Sequence, residues 1–299
     1  MNIGVDICGV HFKNPVIAAS GTFGFGKEFA DYIDLDKLGG ICSKGLTLNK
    51  NLGNSGIRIY ETASGIMNSI GLQNPGIEYF VNEELPFLLS KDTVTIANLG
   101  GHSVEDYVEG AIILDKTNVP MIELNISCPN VKEGGMAFGT NPTKASEVIS
   151  KVRKETKKPL IVKLSPNIGS IPDFAKLAED NGADAISLVN TFNAMAIDIN
   201  TKAPVFVNKT AGLSGPAIKP IALRMVYEAA HAVDIPVIGM GGIMDYKDAL
   251  EFIMVGASAI QVGTANFVDY NTMIDVADGI EKYLEENNIE DIKEITGII

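Results

Sequence analysis

The sequence predicts a (β/α)8 TIM barrel with a short N-terminal strand pair and an insertion after the sixth barrel strand. Three observations carry that expectation. Eight short apolar runs occupy residues 15–20, 40–45, 94–99, 121–127, 160–165, 185–191, 237–242 and 259–264. Each is nearly continuous rather than alternating, as parallel strands covered on both faces require. Longer amphipathic stretches with helical spacing separate many of them. Every run ends in glycine or a polar residue or, for 94–99, leads straight into Gly100-Gly101, and in this architecture function sits at the C-terminal strand ends. A doubly wound open sheet is the competing fold; no G-x-G-x-x-G follows the first strand, which disfavours it.

The elements follow in order. Residues 1–14 read as a small strand pair ahead of the barrel. Residues 103–115 place Val104, Tyr107, Val108, Ala111 and Ile112 on one helical face. Residues 142–154 open on Asn141-Pro142-Thr143, a cap followed by a first-turn proline. Residues 172–181 stop at Gly182, 220–233 form a long amphipathic helix, and 245–255 stop at Gly256. Residues 192–219 form the insertion, with a strand expected at 204–208. Neither extra segment has the length of a second domain, so residues 1–299 read as one domain.

Composition excludes several classes. A chain of 299 residues with 46% apolar and 20% charged residues is neither disordered nor fibrous. A net charge of −13 argues against a phosphate-backbone (nucleic-acid) binder. No apolar stretch reaches membrane-span length, and no basic n-region precedes a cleavage site, so a cytoplasmic protein without a membrane segment is expected. Three cysteines without a C-x-x-C pair give no intrinsic zinc or iron–sulfur site.

The chemistry should lie at the strand ends. Gly241-Gly242 after strand seven and Gly263-Thr264 after strand eight suit backbone N–H groups approaching a phosphate. Lys44 and Lys163 each end an otherwise apolar strand. One lysine could stabilise an anionic reduced flavin ring at its N1–C2 edge and the other could pair with a substrate carboxylate; the residues alone leave the assignment open. Cys8 and Cys42 read as small buried hydrophobes. Cys128 differs, because a glycine-rich stretch over 132–139 follows it with the composition of a mobile lid. Its thiol could act as nucleophile or general base. None of His11, His102 and His231 stands in a motif that would pair with it.

Six motifs then occur in order: Ser20-Gly21-Thr22-Phe23-Gly24, Ser43-Lys44-Gly45, Asn68-Ser69-Ile70-Gly71-Leu72-Gln73-Asn74, Asn125-Ile126-Ser127-Cys128-Pro129-Asn130, Val162-Lys163-Leu164-Ser165-Pro166-Asn167 and Gly212-Leu213-Ser214-Gly215. Together they resemble dihydroorotate dehydrogenase over nearly the whole chain. The cysteine at position 128 resembles the class 1 enzymes, since class 2 enzymes carry serine there and an N-terminal extension. The stretch Ala137-Phe138-Gly139-Thr140-Asn141-Pro142, with Asn190-Thr191 and Gly239-Met240-Gly241-Gly242, resembles the NAD-linked class 1B catalytic subunits more than the fumarate-linked class 1A enzymes.

The resemblance implies oxidation of dihydroorotate to orotate on FMN, in pyrimidine biosynthesis. It implies FMN contacts from Ser20, Lys44, Gly45, Asn98, Asn125 and Lys163, and from Val189, Gly215, Gly241, Gly242, Gly263 and Thr264. It implies substrate contacts from Lys44, Asn68, Ser69, Ile70, Gly71, Leu72, Asn125, Asn190 and Thr191, with Cys128 as base and no metal. It also implies a partner subunit carrying FAD and a [2Fe–2S] cluster, around a homodimer of this chain in a heterotetramer. Forming the C5–C6 double bond removes a C6 hydride and a C5 proton, which a base facing the substrate must take. Amide side chains suit a planar ring bearing both donors and acceptors. The alternatives are fumarate-linked class 1A chemistry, an FMN barrel reductase of the dihydropyrimidine dehydrogenase type, and a non-redox barrel that binds a phosphate ligand.

Overall fold

The computed structural model describes residues 1–127 and 138–299. Eight parallel strands close a barrel: β3 (Val16–Ala18), β4 (Gly40–Cys42), β7 (Val94–Leu99), β8 (Met121–Asn125), β9 (Leu160–Lys163), β10 (Ala185–Leu188), β15 (Val237–Met240) and β16 (Ala259–Val262). Each lies inside one of the eight predicted runs. Except at β7, which fills its run, the runs overshoot because their polar C-terminal residues turn out of the ladder to form the mouth. The strand residues are almost all buried, since the barrel interior covers one face and helices the other.

The helices follow from local chemistry. Ser103 caps Val104–Asp115 by accepting from the Asp106 amide, and the Asp106 carboxylate answers in a capping box. Asn141 caps Pro142–Glu155, and proline in the first turn costs no hydrogen bond there. Ser170 and Asp245 cap Ile171–Asp180 and Tyr246–Met254 in the same way. Lys219–Ala230 follows the insertion. The C-terminal helix Thr272–Glu286 completes the ring behind β16; the sequence reading did not delimit it.

The leading strand pair is β1 (Val5–Ile7) with β2 (Val10–Phe12), paired antiparallel. Phe12 is fully buried beneath β4, where a side chain at Gly40 would meet its ring at 2.9 Å. It therefore closes the N-terminal end of the barrel.

A second sheet covers the mouth. It joins β5 (Ile59–Thr62) and β6 (Gly65–Asn68) to β11 (Phe192–Met195) and β14 (Thr210–Ser214), in the order β11-β14-β6-β5. The strand expected at 204–208 is not formed. Instead β13 (Ala203–Pro204) makes a short ladder with β12 (Ile197–Asp198), and the chain then turns, with the Lys209 amide bonded to the Phe206 carbonyl. Pro204 has no N–H to extend a ladder, and Phe206 is buried with Met67 and Ala211 in a small core of its own. The longer strand of the insertion is β14.

Candidate active site

The site rises from an unusual layer inside the barrel. TIM-barrel interiors stack side chains in layers of four from alternate strands, mostly bulky and branched. Here one layer is Cys42, Glu123, Ser187 and Gln261, each the third residue of its strand and none more than 1% exposed. The Glu123 carboxylate accepts from Cys42 Sγ at 3.3 Å, Ser187 Oγ at 2.8 Å and Gln261 Nε2 at 2.8 Å. β8 and β16 face each other across the barrel, so Glu123 ties opposite walls together.

Above this layer the polar groups continue toward the mouth. Asn98 Nδ2 donates to Glu123 Oε1 at 2.6 Å, and Asn125 Nδ2 donates to Asn98 Oδ1 at 3.3 Å. Asn125 Oδ1 accepts from Ser127 Oγ at 2.9 Å, whose oxygen accepts from Asn190 Nδ2 at 2.7 Å. Tyr107 reaches in from its helix and donates to the Asn125 carbonyl at 2.9 Å. Lys163 Nζ lies 3.7 Å from Glu123 Oε1 and donates to Ser20 Oγ at 3.2 Å. Burial works to raise the pKa of Glu123. The charge of Lys163 and the bonds from Ser187, Gln261 and Cys42 outweigh it, and the carboxyl is held below its usual value as the anion. Burial and Glu123 push the Cys42 thiol well up. Cys42 is buried as expected, but it serves as a weak donor within a polar layer rather than as one more apolar group.

A cavity of about 290 Å³ opens above these residues. Its wall includes Ser20, Lys44, Gly45, Asn98, Asn125 and Lys163 and, continuing around the rim, Val189, Gly215, Gly241, Gly242, Gly263 and Thr264. Asn68, Ile70, Gly71, Leu72, Asn190 and Thr191 line it from the covering sheet and its loops. Three glycines bring main chain to the wall in the left-handed region: Gly215 at φ 98°, Gly241 at φ 132° and Gly242 at φ 77°. A Cβ at Gly242 would lie 2.8 Å from the Gly215 carbonyl oxygen and 2.9 Å from the Lys219 amide nitrogen, so only glycine fits that turn. Thr264 Oγ1 donates to Ser214 Oγ at 2.9 Å and ties the turn after β16 to β14.

Lys44 is the exposed end of the charge distribution. Among the described residues no hydrogen bond or salt bridge engages its ammonium group. Burial pulls its pKa below the usual lysine value; Glu28 opposes the shift and Arg58 adds to it. A half-buried cation without an acid in contact is the electrostatic complement of an anion.

Comparison with known proteins decides the family. The dihydroorotate dehydrogenase family model matches residues 2–284. The chain is similar to proteins named dihydroorotate dehydrogenase B (NAD(+)), catalytic subunit. It is 61% identical to that of Petrotoga mobilis, over 99% of this chain and 98% of the relative. To that of Thermoanaerobacter pseudethanolicus it is 58% identical, again over 99% and 98%. To that of Bacteroides thetaiotaomicron it is 53% identical, over 100% and 99%. The chain belongs to the dihydroorotate dehydrogenase family.

Of the positions that the family resemblance singled out, every one among the described residues but Ser69 lines this cavity. Ser69 stands behind it, buried, accepting from Asn54 Nδ2 at 3.1 Å and from Asn208 Nδ2 at 3.4 Å. It supports the covering sheet. Cys128, and the lid expected over 132–139 as far as residue 137, lie outside the described residues. None of the three histidines lines the cavity. Among the described residues no group of three or more His, Cys, Asp or Glu is placed to hold a metal, and no helix is long and apolar enough to cross a membrane. The reading from sequence passed over the Glu123 layer. Its signal was there: Glu123, Gln261 and Ser187 each interrupt an otherwise apolar strand at the same position.

Proposed function

We propose that this chain is the catalytic subunit of an NAD-linked dihydroorotate dehydrogenase, oxidising dihydroorotate to orotate on FMN. The observation that carries this reading is the division of one cavity wall. Glycine turns without charge form one side, and two lysines with a chain of amides form the other. The glycine turns fit the FMN phosphate, because main-chain N–H groups can approach it where no Cβ intervenes. Lys163 fits the pyrimidine edge of the flavin, where a fixed positive charge favours the anionic reduced ring. When bound, FMN supplies the hydride acceptor.

The chain's own residues do the rest. Lys44 neutralises the substrate carboxylate. Asn68, Asn125 and Asn190 orient the ring by donating to its carbonyls and accepting from its N–H groups. Asn125 and Asn190 are held by the run of hydrogen bonds from Glu123 to Asn190, and Asn68 by its bond to the Gly212 carbonyl, so little ordering remains to be done when substrate arrives. Cys128 takes the C5 proton as general base. Ser20 adds no charge but helps hold Lys163, its Oγ accepting a hydrogen bond from the ammonium group.

The electrons then leave for NAD through a second subunit with FAD and a [2Fe–2S] cluster, docked on a homodimer of this chain in the cytoplasm. The relatives' name, catalytic subunit, supports a partner, and the sequence carries no dinucleotide fingerprint after a strand.

The test is rapid-mixing flavin reduction of the FMN-loaded chain by dihydroorotate, followed by acceptor trials. We expect reduction by the chain alone and NADH formation only with the partner. Cys128→Ala should slow reduction by about 10²- to 10⁴-fold with FMN retained. Near-normal reduction in that variant would move the base elsewhere. Fast turnover with fumarate, and none with NAD plus partner, would place the chain with the class 1A enzymes. A protein that takes up no FMN would end the flavin reading.

A further inference from the structure

We infer that Glu123 is a positioning residue, a buried counter-charge that keeps Lys163 an ammonium ion at the cavity wall. The inference deepens the flavin reading above and rests on it where flavin is the reporter. Lys163 is 5% exposed and Glu123 is wholly buried, 3.7 Å apart. An ammonium group taken out of water loses its proton readily unless a nearby anion repays the lost hydration. Among the described residues, Glu123 is the only acid in salt-bridge contact with Lys163.

The geometry makes Glu123 more than one half of an ion pair. Its two oxygens accept from four strands, Cys42 on β4, Asn98 on β7, Ser187 on β10 and Gln261 on β16, and face the Lys163 ammonium of a fifth, β9, as an ion pair. A carboxylate with that many donors is anchored as an anion. Among the described residues, the ionisable groups packed about Lys163 are Glu123 and the Cys42 thiol, while Lys44 shares the cavity. The thiol's burial keeps it neutral, so of these groups Glu123 offsets the lysine. Its reach to Asn98 fixes which end of that amide faces Asn125. The layer therefore sets both the charge and the amide polarity of the floor on which the flavin would rest.

The experiment uses the full chain as wild type, Glu123→Gln, Lys163→Met and the double variant. The midpoint potential of bound FMN is compared with wild type at each pH from about 6 to about 9, the range in which an unpaired buried lysine titrates. Lys163→Met should lower the potential throughout. Glu123→Gln should match that loss at the alkaline end and recover toward wild type at the acidic end, as Lys163 regains its proton. An unchanged potential, an upward shift, or a loss independent of pH would overturn the inference. Thermal unfolding of the ligand-free proteins gives a flavin-independent reading. Each single change should lower Tm, and the double variant should recover part of the loss, because removing both charges leaves neither unpaired. Additive losses would overturn the pairing. If Glu123→Gln alone does not fold, a folded double variant supports the inference and an unfolded one refutes it. A wild type that binds no FMN would refute the flavin reading instead, and the thermal cycle would then decide whether Glu123 and Lys163 are coupled.

Discussion

The two halves of the cavity wall solve different problems with different parts of the chain. Around β14, β15 and β16 the wall is glycine main chain with apolar side chains such as Ile218 and Met240, with Gly215, Gly241 and Gly242 at φ values that other residues rarely adopt and no charged side chain among the described residues that line it. Around β4, β7, β8 and β9 it is side chain, with two lysines, two asparagines and a buried glutamate beneath. Main-chain donors are fixed by the fold and fit a ligand group that never changes. Side chains carry charge and amide polarity, so they fit the part of the ligand where charge moves. Substitutions in the first half should loosen FMN, whereas those in the second should leave FMN in place and alter substrate binding or the flavin's chemistry.

The largest effect that sharpens this contrast is expected at Lys44. Lys44→Met should weaken orotate binding by about tenfold to a hundredfold, the worth of a charge-assisted contact, with FMN content unchanged. Equilibrium titration of orotate against the flavin spectrum reads both. The pH dependence has a definite sign. The lowered pKa of Lys44 means that its charge is lost sooner than that of a free lysine as pH rises, so orotate affinity should fall earlier on the alkaline side. In the ligand-free protein the folded state binds this proton more weakly than the unfolded state. Stability should therefore rise with pH between the folded and unfolded pKa values of Lys44, and Lys44→Met should remove that rise. If loss of Lys44 emptied the protein of FMN while sparing orotate, the two halves would not be separate in function.

Gly242→Ala comes next. The methyl group would press on the Gly215 carbonyl and the Lys219 amide, with a backbone strain of about 1–3 kcal/mol. We expect FMN to be lost on gel filtration and Tm to fall, while orotate still protects whatever flavin remains. Normal FMN content would show that the turn does not need glycine. The smallest effect is expected at Thr264→Val, which removes the bond to Ser214 at a cost of about 1 kcal/mol, or about fivefold in FMN affinity, with orotate affinity unchanged.

How far these halves could be read from sequence differs in the same way. The glycine turns were legible as turns because glycines end both strand seven and strand eight, and Lys44 and Lys163 stood out against apolar runs. The eight strands were legible for the same reason: parallel strands covered on both faces need continuous apolar runs. The Glu123 layer was passed over because the partners of a buried acid lie on distant strands, and only the closed barrel brings Cys42, Ser187 and Gln261 to it. The hairpin of β5 and β6 and the two insertion strands that join it, β11 and β14, were missed for a related reason. Their residues alternate weakly, and what makes them strands is pairing with each other across the mouth.

That pairing has a kinetic consequence. β6 and β14 meet with Asn68 beside Gly212, 144 residues apart in the chain. No local turn can form such a ladder; it must wait until the barrel has brought both segments to the same rim. Once formed, the covering sheet rests on a core of only three fully buried side chains, Met67, Phe206 and Ala211, set apart from the main core. Little apolar area holds it down, so it should open in native-state hydrogen exchange at a lower free energy than the barrel strands beneath. The last element to assemble is then also the first to part. The ligands' route in and out can follow that cheap local fluctuation while β3 to β16 of the barrel stay closed.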